Sequence, residues 1–326
     1  MSLPILVSGG CGFVGRHLVK NLLKQNHEVI IVDNLYTGIH PKEWISEEFQ
    51  SNYSFINSDI RNFLQNTDNK TKKFSDVYHL AAVVGGRIKI DKDPLSVALD
   101  LSIDAEFFNW AISAKPERIL YASSSAAYPT NLQSSEKQVL LEEDMINFEG
   151  TLGSPDMTYG WSKLTGEYLS RLTSKFYDLH VACIRPFSGY GEDQDPSYPV
   201  PAIGARAVDK EDPLVVWGTG KQSRDFVYIE DCIVAMQKAI EKISDGTAVN
   251  IGSGKLTTFI EVAKIYAEIA GYSPKIQPLS DMPEGVFARH GSTKKAFDVL
   301  GFSPKTSLKD GLTIVYDHIK KQKQLS

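Results

Sequence analysis

Ile5-Leu6-Val7-Ser8-Gly9-Gly10-Cys11-Gly12-Phe13-Val14-Gly15-Arg16-His17-Leu18-Val19 is the stretch whose reading decides the fold. A short apolar run reads as a buried strand, the glycine cluster as its turn, and Val14 onward as an amphipathic helix. Glycines there permit positive φ and close backbone approach, so a pyrophosphate can rest on the free amides at the helix N-terminus. The next apolar run, Glu28-Val29-Ile30-Ile31-Val32, ends in Asp33, where a carboxylate accepts hydrogen bonds from adenosine ribose hydroxyls and repels a 2′-phosphate. No arginine follows in Asp33-Asn34-Leu35-Tyr36-Thr37-Gly38, so the expected cofactor is NAD rather than its phosphorylated form.

Outward from this unit the alternation continues. Strand-like runs lie near residue 55 (YSFIN) and end at Leu80, Ala122 and Ile184, with helical patterns such as Val14 to Gln25 and Pro94 to Ser113 between them. Repeated βαβ units imply an α/β fold, a Rossmann-type doubly wound parallel sheet. The rhythm breaks in the Pro/Gly-rich segment from Arg185 to Pro201, before a helix from about Ile229 and a strand at Ala248-Val249-Asn250-Ile251. The expectation is an NAD-binding domain over residues 1–186, with 226–252 returning to it, and a smaller substrate lobe over most of 187–326. Thr130 to Met157 reads as a polar surface loop able to serve as a lid.

Composition limits the function classes. A chain of 326 residues that is 42% hydrophobic can bury a full core, and a net charge of -5 lacks the field of a nucleic-acid binder. No run is long enough for a membrane span and the start shows no signal peptide, so no membrane partner and a cytoplasmic location are expected. Cys11, Cys183 and Cys232 have neither disulfide nor metal-ligand spacing and read as small buried residues; no metal is expected.

The chemistry is concentrated in Tyr159-Gly160-Trp161-Ser162-Lys163, which puts a phenol and an ammonium on one helix face. A phenol is ordinarily protonated at neutral pH, and a cation beside it favours the phenolate needed for a base. Upstream, Ser123-Ser124-Ser125 closes the fifth strand at the carboxyl edge of the sheet, where ligands of open α/β folds bind.

With Asp59-Ile60, Leu80-Ala81-Ala82 and Arg185-Pro186 added, the chain resembles the extended short-chain dehydrogenase/reductases nearly end to end. This is the NAD-dependent nucleotide-sugar epimerase and dehydratase family that includes UDP-galactose and UDP-glucuronate 4-epimerases. The resemblance implies Ser124, four residues before Tyr128, as the catalytic hydroxyl, with Ser125 the adjacent alternative. It makes Tyr159 the general base and Lys163 the residue that activates it and holds the nicotinamide ribose. Cofactor contacts are implied at Gly9, Gly12, Phe13, Val14, Gly15, Asp33, Asn34, Thr37, Gly38, Asp59, Ile60, Leu80, Ala81, Ala82, Ser123, Tyr159, Lys163 and Pro186. A homodimer is implied through the helix around Ser96 to Ser113 and the helix bearing Tyr159; Phe107, Phe108 and Trp110 give the first more aromatic surface than one internal face easily hides, although core packing explains them almost as well.

The second half points to a nucleotide-diphosphate sugar. Val215-Val216-Trp217-Gly218-Thr219-Gly220 with Arg224-Asp225-Phe226 is similar to the nucleotide-binding segment of GDP-fucose synthase and GDP-mannose 3,5-epimerase. Pro283-Glu284-Gly285-Val286 and Arg289 are similar to the second of these. Substrate contacts are expected at Gly86, Arg87, Ser124, Ser188, Val200, Trp217, Arg224 and Arg289, because Trp217 can wall off a base and arginine forks suit a diphosphate. Arg87, in Val83-Val84-Gly85-Gly86-Arg87, admits three roles: a uronic-acid carboxylate reader, a diphosphate contact, or an ion-pair partner of Asp91 or Asp93.

Two departures narrow the reaction. Ala126 stands where the GDP-sugar relatives have an acid/base cysteine, and Ser125-Ala126 replaces the Asp-Glu of the 4,6-dehydratases. Alanine cannot move a proton, which leaves redox chemistry at a carbinol and favours a C4 epimerase. A net dehydrogenase or ketoreductase, another GDP-sugar epimerase, and a silent dinucleotide-sensing scaffold are the alternatives; intact Tyr159 and Lys163 argue against the last. Asp100 and Ser188 replace asparagines of the family, and neither base nor sugar is specified.

Overall fold

The computed structural model describes residues 3–134 and 138–325. Seven parallel strands form the main sheet: β1 (Ile5–Ser8), β2 (Val29–Asp33), β3 (Tyr53–Asn57), β4 (Asp76–His79), β5 (Arg118–Ala122), β6 (Val181–Pro186) and β7 (Asp245–Ile251). Their spatial order is β7-β6-β5-β4-β1-β2-β3. All strands run the same way, with Ser8 beside both Val32 and His79, and Ala122 beside Ile184, so their carboxyl ends share one edge. The order reverses between β1 and β4, the switch point where such sheets bind ligands.

Alternate residues of these strands enter two separate cores. Val7, Ile31 and Ile184 face a cluster that includes Leu18 and Leu22 of α1 (Phe13–Lys24), whereas Leu6, Ile30 and Cys183 face Phe107 and Ala111 of α2 (Asp100–Ala114). A sheet buried on both faces needs continuous apolar strands, which is why these runs do not alternate with polar residues. The helix bearing Tyr159 is α3 (Met157–Tyr177), and α4 (Ile229–Lys242) covers the α1 side.

In the smaller lobe the central strand Ser223–Tyr228 pairs with Leu256–Thr258, Ala288–Gly291 and Ser188–Tyr190. The register sets Arg224 directly beside Arg289. Leu214–Trp217 pairs with Ile276–Leu279 to carry the Trp217 turn. Among the described residues, no helix is long and apolar enough to cross a membrane.

Three expectations need correction. Phe107, Phe108 and Trp110 are 0%, 3% and 2% exposed and belong to the monomer core, so they offer no surface to a partner. The helix expected over Pro94 to Ser113 is broken into Pro94–Val97 and α2. The segment from Thr130 is not simply a surface loop: Leu140–Leu141 pairs with His290–Gly291, and Gln133, Leu141 and Ile146 are buried. Residues 135–137 of that segment lie outside the described residues. The three cysteines are free and buried, as their spacing suggests.

Candidate active site

The glycine loop runs from β1 into α1, and its glycines differ in why they lack a side chain. A Cβ on Gly9, whose φ is +72°, would lie 2.7 Å from the Ala81 amide nitrogen, and one on Gly15 would lie 2.3 Å from the Gly9 carbonyl. Both are needed for the protein's own packing. Gly12 has an extended backbone, and its Cβ would meet nothing nearer than the Gly9 oxygen at 3.5 Å. The fold has room there, no side chain caps α1 at this point, and the vacant space fits a pyrophosphate against the first amides of the helix. Asp33 accepts from the Cys11 amide at 2.9 Å and the Leu35 amide at 2.8 Å, which aims its remaining lone pairs along the loop.

Other expected cofactor residues ring this edge with part of their polar capacity already used. The Asn34 side chain accepts from the Tyr36 amide, and a Cβ on Gly38 would lie 2.8 Å from that of Cys11, so the Thr37-Gly38 turn packs on the glycine loop. Asp59 caps the short helix beginning at Ile60 and pairs with Arg61, whose hydrogen bonds hold its carboxyl below the ordinary range. Leu80 and Ala81 donate to Ser8 at the end of β1. The Ser123 hydroxyl is turned inward, donating to Glu167, which also pairs with the fully buried Arg185.

Tyr159 and Lys163 lie one turn apart on α3. The Lys163 ammonium is 5.9 Å from the Tyr159 ring centre and 5.4 Å from that of Tyr121. Lys163 is 5% exposed and forms no ion pair among the described residues, and Tyr159 is half-buried. Burial alone would lower the Lys163 pKa; Asp104, Tyr159 and Asp100 outweigh it and hold the ammonium above its ordinary range. A buried ammonium that makes no hydrogen bond or ion pair among the described residues, one turn from Tyr159, fits the nicotinamide ribose hydroxyls. The serine turn packs on the same helix: the Asp156 amide donates to the Ala126 carbonyl at 3.0 Å, and a Cβ on Gly160 would come within 2.4 Å of that oxygen. Ser124 is half-buried, and its Oγ accepts from the Ala126 amide at 3.1 Å; Ser125 is 3% exposed.

Beneath these groups lies a polar network that the sequence did not single out. Asp104 accepts from the Tyr121 hydroxyl at 2.6 Å and contacts His79 Nε2 at 3.1 Å, while His79 Nδ1 meets the Ser8 hydroxyl at 2.8 Å. Burial lowers the His79 pKa, which suits a neutral ring bridging Ser8 and Asp104. Asp104 follows Asp100 by one helical turn, and two carboxylates on the core-facing stripe of α2 were the available signal.

Of the expected substrate residues, Arg87, Arg224 and Arg289 come together from three segments. Arg87 donates from Nη1 to Asp156 at 2.8 Å and from Nε to Asp91 at 2.9 Å, so the ion-pair role foreseen with Asp91 is realised. Arg289 donates to Gln133 and, at 2.9 Å, to the other oxygen of Asp156. Among the described residues Arg224 donates to the carbonyls of Ser223 and Glu284, and the Glu284 carboxylate accepts from the Thr219 amide beyond Trp217. A cavity of about 450 Å³ opens here, lined by Arg87, Asp156, Met157, Glu284 and Gly285 among others. Gly86 approaches Ser197, whose carbonyl would be 3.3 Å from an added Cβ. Ser188 is half-buried in its strand, as is Pro186 at the end of β6. Val200 is 3% exposed and belongs to the hydrophobic core, so it has little side-chain surface to offer a substrate. Asp156 is the site residue sequence reading missed, although it lies only three positions before Tyr159.

A dinucleotide cradle at the switch point, with a phenol and a buried ammonium one turn apart beside it, defines a nicotinamide-dependent enzyme that acts on a carbinol. Residues 5–252 match the model of the NAD dependent epimerase/dehydratase family, and the chain belongs to that family. A putative UDP-glucose 4-epimerase of Methanocaldococcus jannaschii is 30% identical, over 97% of this chain and 98% of its own. GDP-mannose 3,5-epimerase of Arabidopsis thaliana is 27% identical, over 98% and 83% respectively. The crystal structure of UDP-glucuronic acid 4-epimerase from Bacillus cereus with UDP-glucuronic acid and NAD superposes with a TM-score of 0.82 at 29% identity, covering 98% of this chain and all of that one.

Proposed function

We propose that this protein epimerises a nucleotide-diphosphate sugar at C4 through a transient 4-keto sugar. The observation that carries the reading is Tyr159 and Lys163 packed against a serine turn whose next position, Ala126, holds no proton-transfer group. Inversion at C5 needs a group to remove a carbon-bound proton, and dehydration needs an acid for the leaving hydroxyl; neither is supplied by alanine. When bound, NAD supplies a reversible hydride acceptor. Tyr159 takes the C4 hydroxyl proton, Lys163 favours its anionic form, and Ser124 hydrogen-bonds the same sugar oxygen. Tyr159 returns the proton to the C4 oxygen, and the carbon would be inverted where the 4-keto sugar turns its opposite face to the hydride that bound NAD would give back. Relatives named for 4-epimerisation of UDP-glucose and UDP-glucuronic acid support this choice.

Residues 1–186 with 226–252 are assigned to the cofactor and most of 187–326 to the nucleotide sugar. A homodimer is supported by exposed Leu95, Leu99 and Leu101, together with Trp161 and Tyr168 on α3, in place of the aromatics that proved to be core. Free, buried cysteines suit a reducing, cytoplasmic setting. The test is an NMR screen of UDP-, GDP-, CDP- and dTDP-sugars for C4 isomers, with NADH followed at the same time. Isomer formation without net NADH is expected; steady NADH accumulation identifies a dehydrogenase instead.

A further inference from the structure

Asp156 is the only carboxylate that two of the three clustered arginines share among the described residues, each of its oxygens holding one guanidinium, Arg87 at 2.8 Å and Arg289 at 2.9 Å. It is 8% exposed. Arg224, the third, has backbone carbonyls as its hydrogen-bond partners, and burial followed by the nearby Arg289 holds its pKa below the ordinary range. Arg87 and Arg224 both reach Gly285 at the cavity wall, where an added Cβ would meet the Arg87 Cδ at 3.4 Å and an Arg224 nitrogen at 3.5 Å. Arg87 also pairs with Asp91, and Glu284 lies near Arg224, so an arriving anion redistributes pairs that already exist; three guanidinium groups this close together favour a multiply charged one.

The same Asp156 is the N-cap residue of α3, and counting from it places Met157 first, Thr158 second and Tyr159 third in the helix. Its carbonyl accepts the first helical bond, from Gly160 at 2.8 Å. Aspartate is among the best N-caps because its carboxylate accepts from the second or third amide. Here it caps nothing, because the arginines hold it. The next residue, Met157, has φ of +56°, a left-handed conformation that costs a non-glycine residue free energy. The turn that carries Tyr159 is therefore uncapped and strained while the arginine cluster is closed on itself.

We propose that Asp156 is a positioning residue that exchanges partners. A diphosphate engages Arg87, Arg224 and Arg289, the released carboxylate caps α3 at the Thr158 or Tyr159 amide, and the turn bearing the base becomes ordered only when substrate is present. This rests on the proposed function only in that the ligand carries a phosphoanhydride.

The test uses the whole protein with inorganic pyrophosphate and UDP as probes, following binding by calorimetry and amide exchange over residues 157–163 by mass spectrometry. Retained NAD binding establishes that each variant is folded. In wild type, pyrophosphate is expected to slow exchange in this segment about tenfold. Asp156→Ala should bind pyrophosphate about tenfold more tightly, having lost the competitor, yet show no slowing. Asp156→Asn, a good cap without the charge, should bind tightly and be protected even without pyrophosphate. With a nucleotide sugar, Asp156→Ala should lower kcat at unchanged or lower KM, and Asp156→Asn should restore kcat. Weaker pyrophosphate binding by Asp156→Ala, no binding to any form, or equal slowing in wild type and Asp156→Ala would overturn the exchange. Exchange behaviour as described without turnover of any nucleotide sugar would instead refute the proposed function alone.

Discussion

The cofactor cradle at the end of β1 and the arginine cluster at the start of α3 are built in opposite ways. The cradle is local: one turn from Gly9 to Gly15, with Asp33 from the neighbouring strand locked by two backbone amides. Nothing in it has to break before a dinucleotide enters. The cluster is assembled from Arg87, Asp156, Arg224 and Arg289, and its ion pairs occupy the donors a diphosphate would use. One region is prepared by backbone geometry, the other by a balance of charges that a ligand must redistribute. Rigid preorganisation suits a cofactor that stays, and exchangeable pairing suits a substrate that leaves.

The largest test of this contrast is the residue on which both regions converge. Tyr159→Phe should lower turnover at least about a hundredfold, the usual cost of losing a general base, while NAD binding stays nearly intact. Turnover within about threefold of wild type would take Tyr159 out of the chemistry and leave the two regions with nothing in common.

A second test probes the floor beneath Lys163. Burial pushes the Asp100 carboxyl up to about 6 against the pull of Lys163, and its Oδ2 has no hydrogen-bond partner, while Oδ1 accepts from the Val83 amide. A folded pKa raised above the unfolded value means that the folded state holds the proton more tightly. That stability is fully present below about pH 4 and is lost as pH rises through about 6. Asp100→Asn cannot titrate, so its stability relative to wild type should rise by on the order of 2 kcal/mol between about pH 4 and pH 8. Denaturant melts of both proteins across that range check it, and a pH-independent difference would show that Asp100 is not protonated in the fold.

The smallest expected effect separates two glycines of the cradle. Gly12→Ala has open space, so it should leave the melting temperature of the cofactor-free protein almost unchanged and weaken NAD by about tenfold, through the lost close approach. Gly15→Ala would press on the Gly9 carbonyl and should destabilise the protein itself by about 1–3 kcal/mol. Equal thermal destabilisation by both would mean that the space over Gly12 is not a ligand cradle.

What was legible in the sequence follows from the range of the interactions involved. The strand, glycine turn, helix and Asp33 are coded by neighbours in the chain, and so is the Tyr159/Lys163 spacing, because helical periodicity places the pair before any tertiary contact forms. Apart from the break in the helix after Val97, the misreadings concern partners supplied from a distance. Phe107, Phe108 and Trp110 read equally well as surface or core until the sheet covers them, and Leu141 looked exposed until it paired beside Gly291. The sequence by itself determined the parallel sheet, the glycine turn after its first strand and the one-turn spacing of Tyr159 and Lys163. Only the tertiary structure decided that Asp156 sits between Arg87 and Arg289, because the pairing of charges from separate segments depends on which chains the fold brings within a few ångströms, and no local pattern records that.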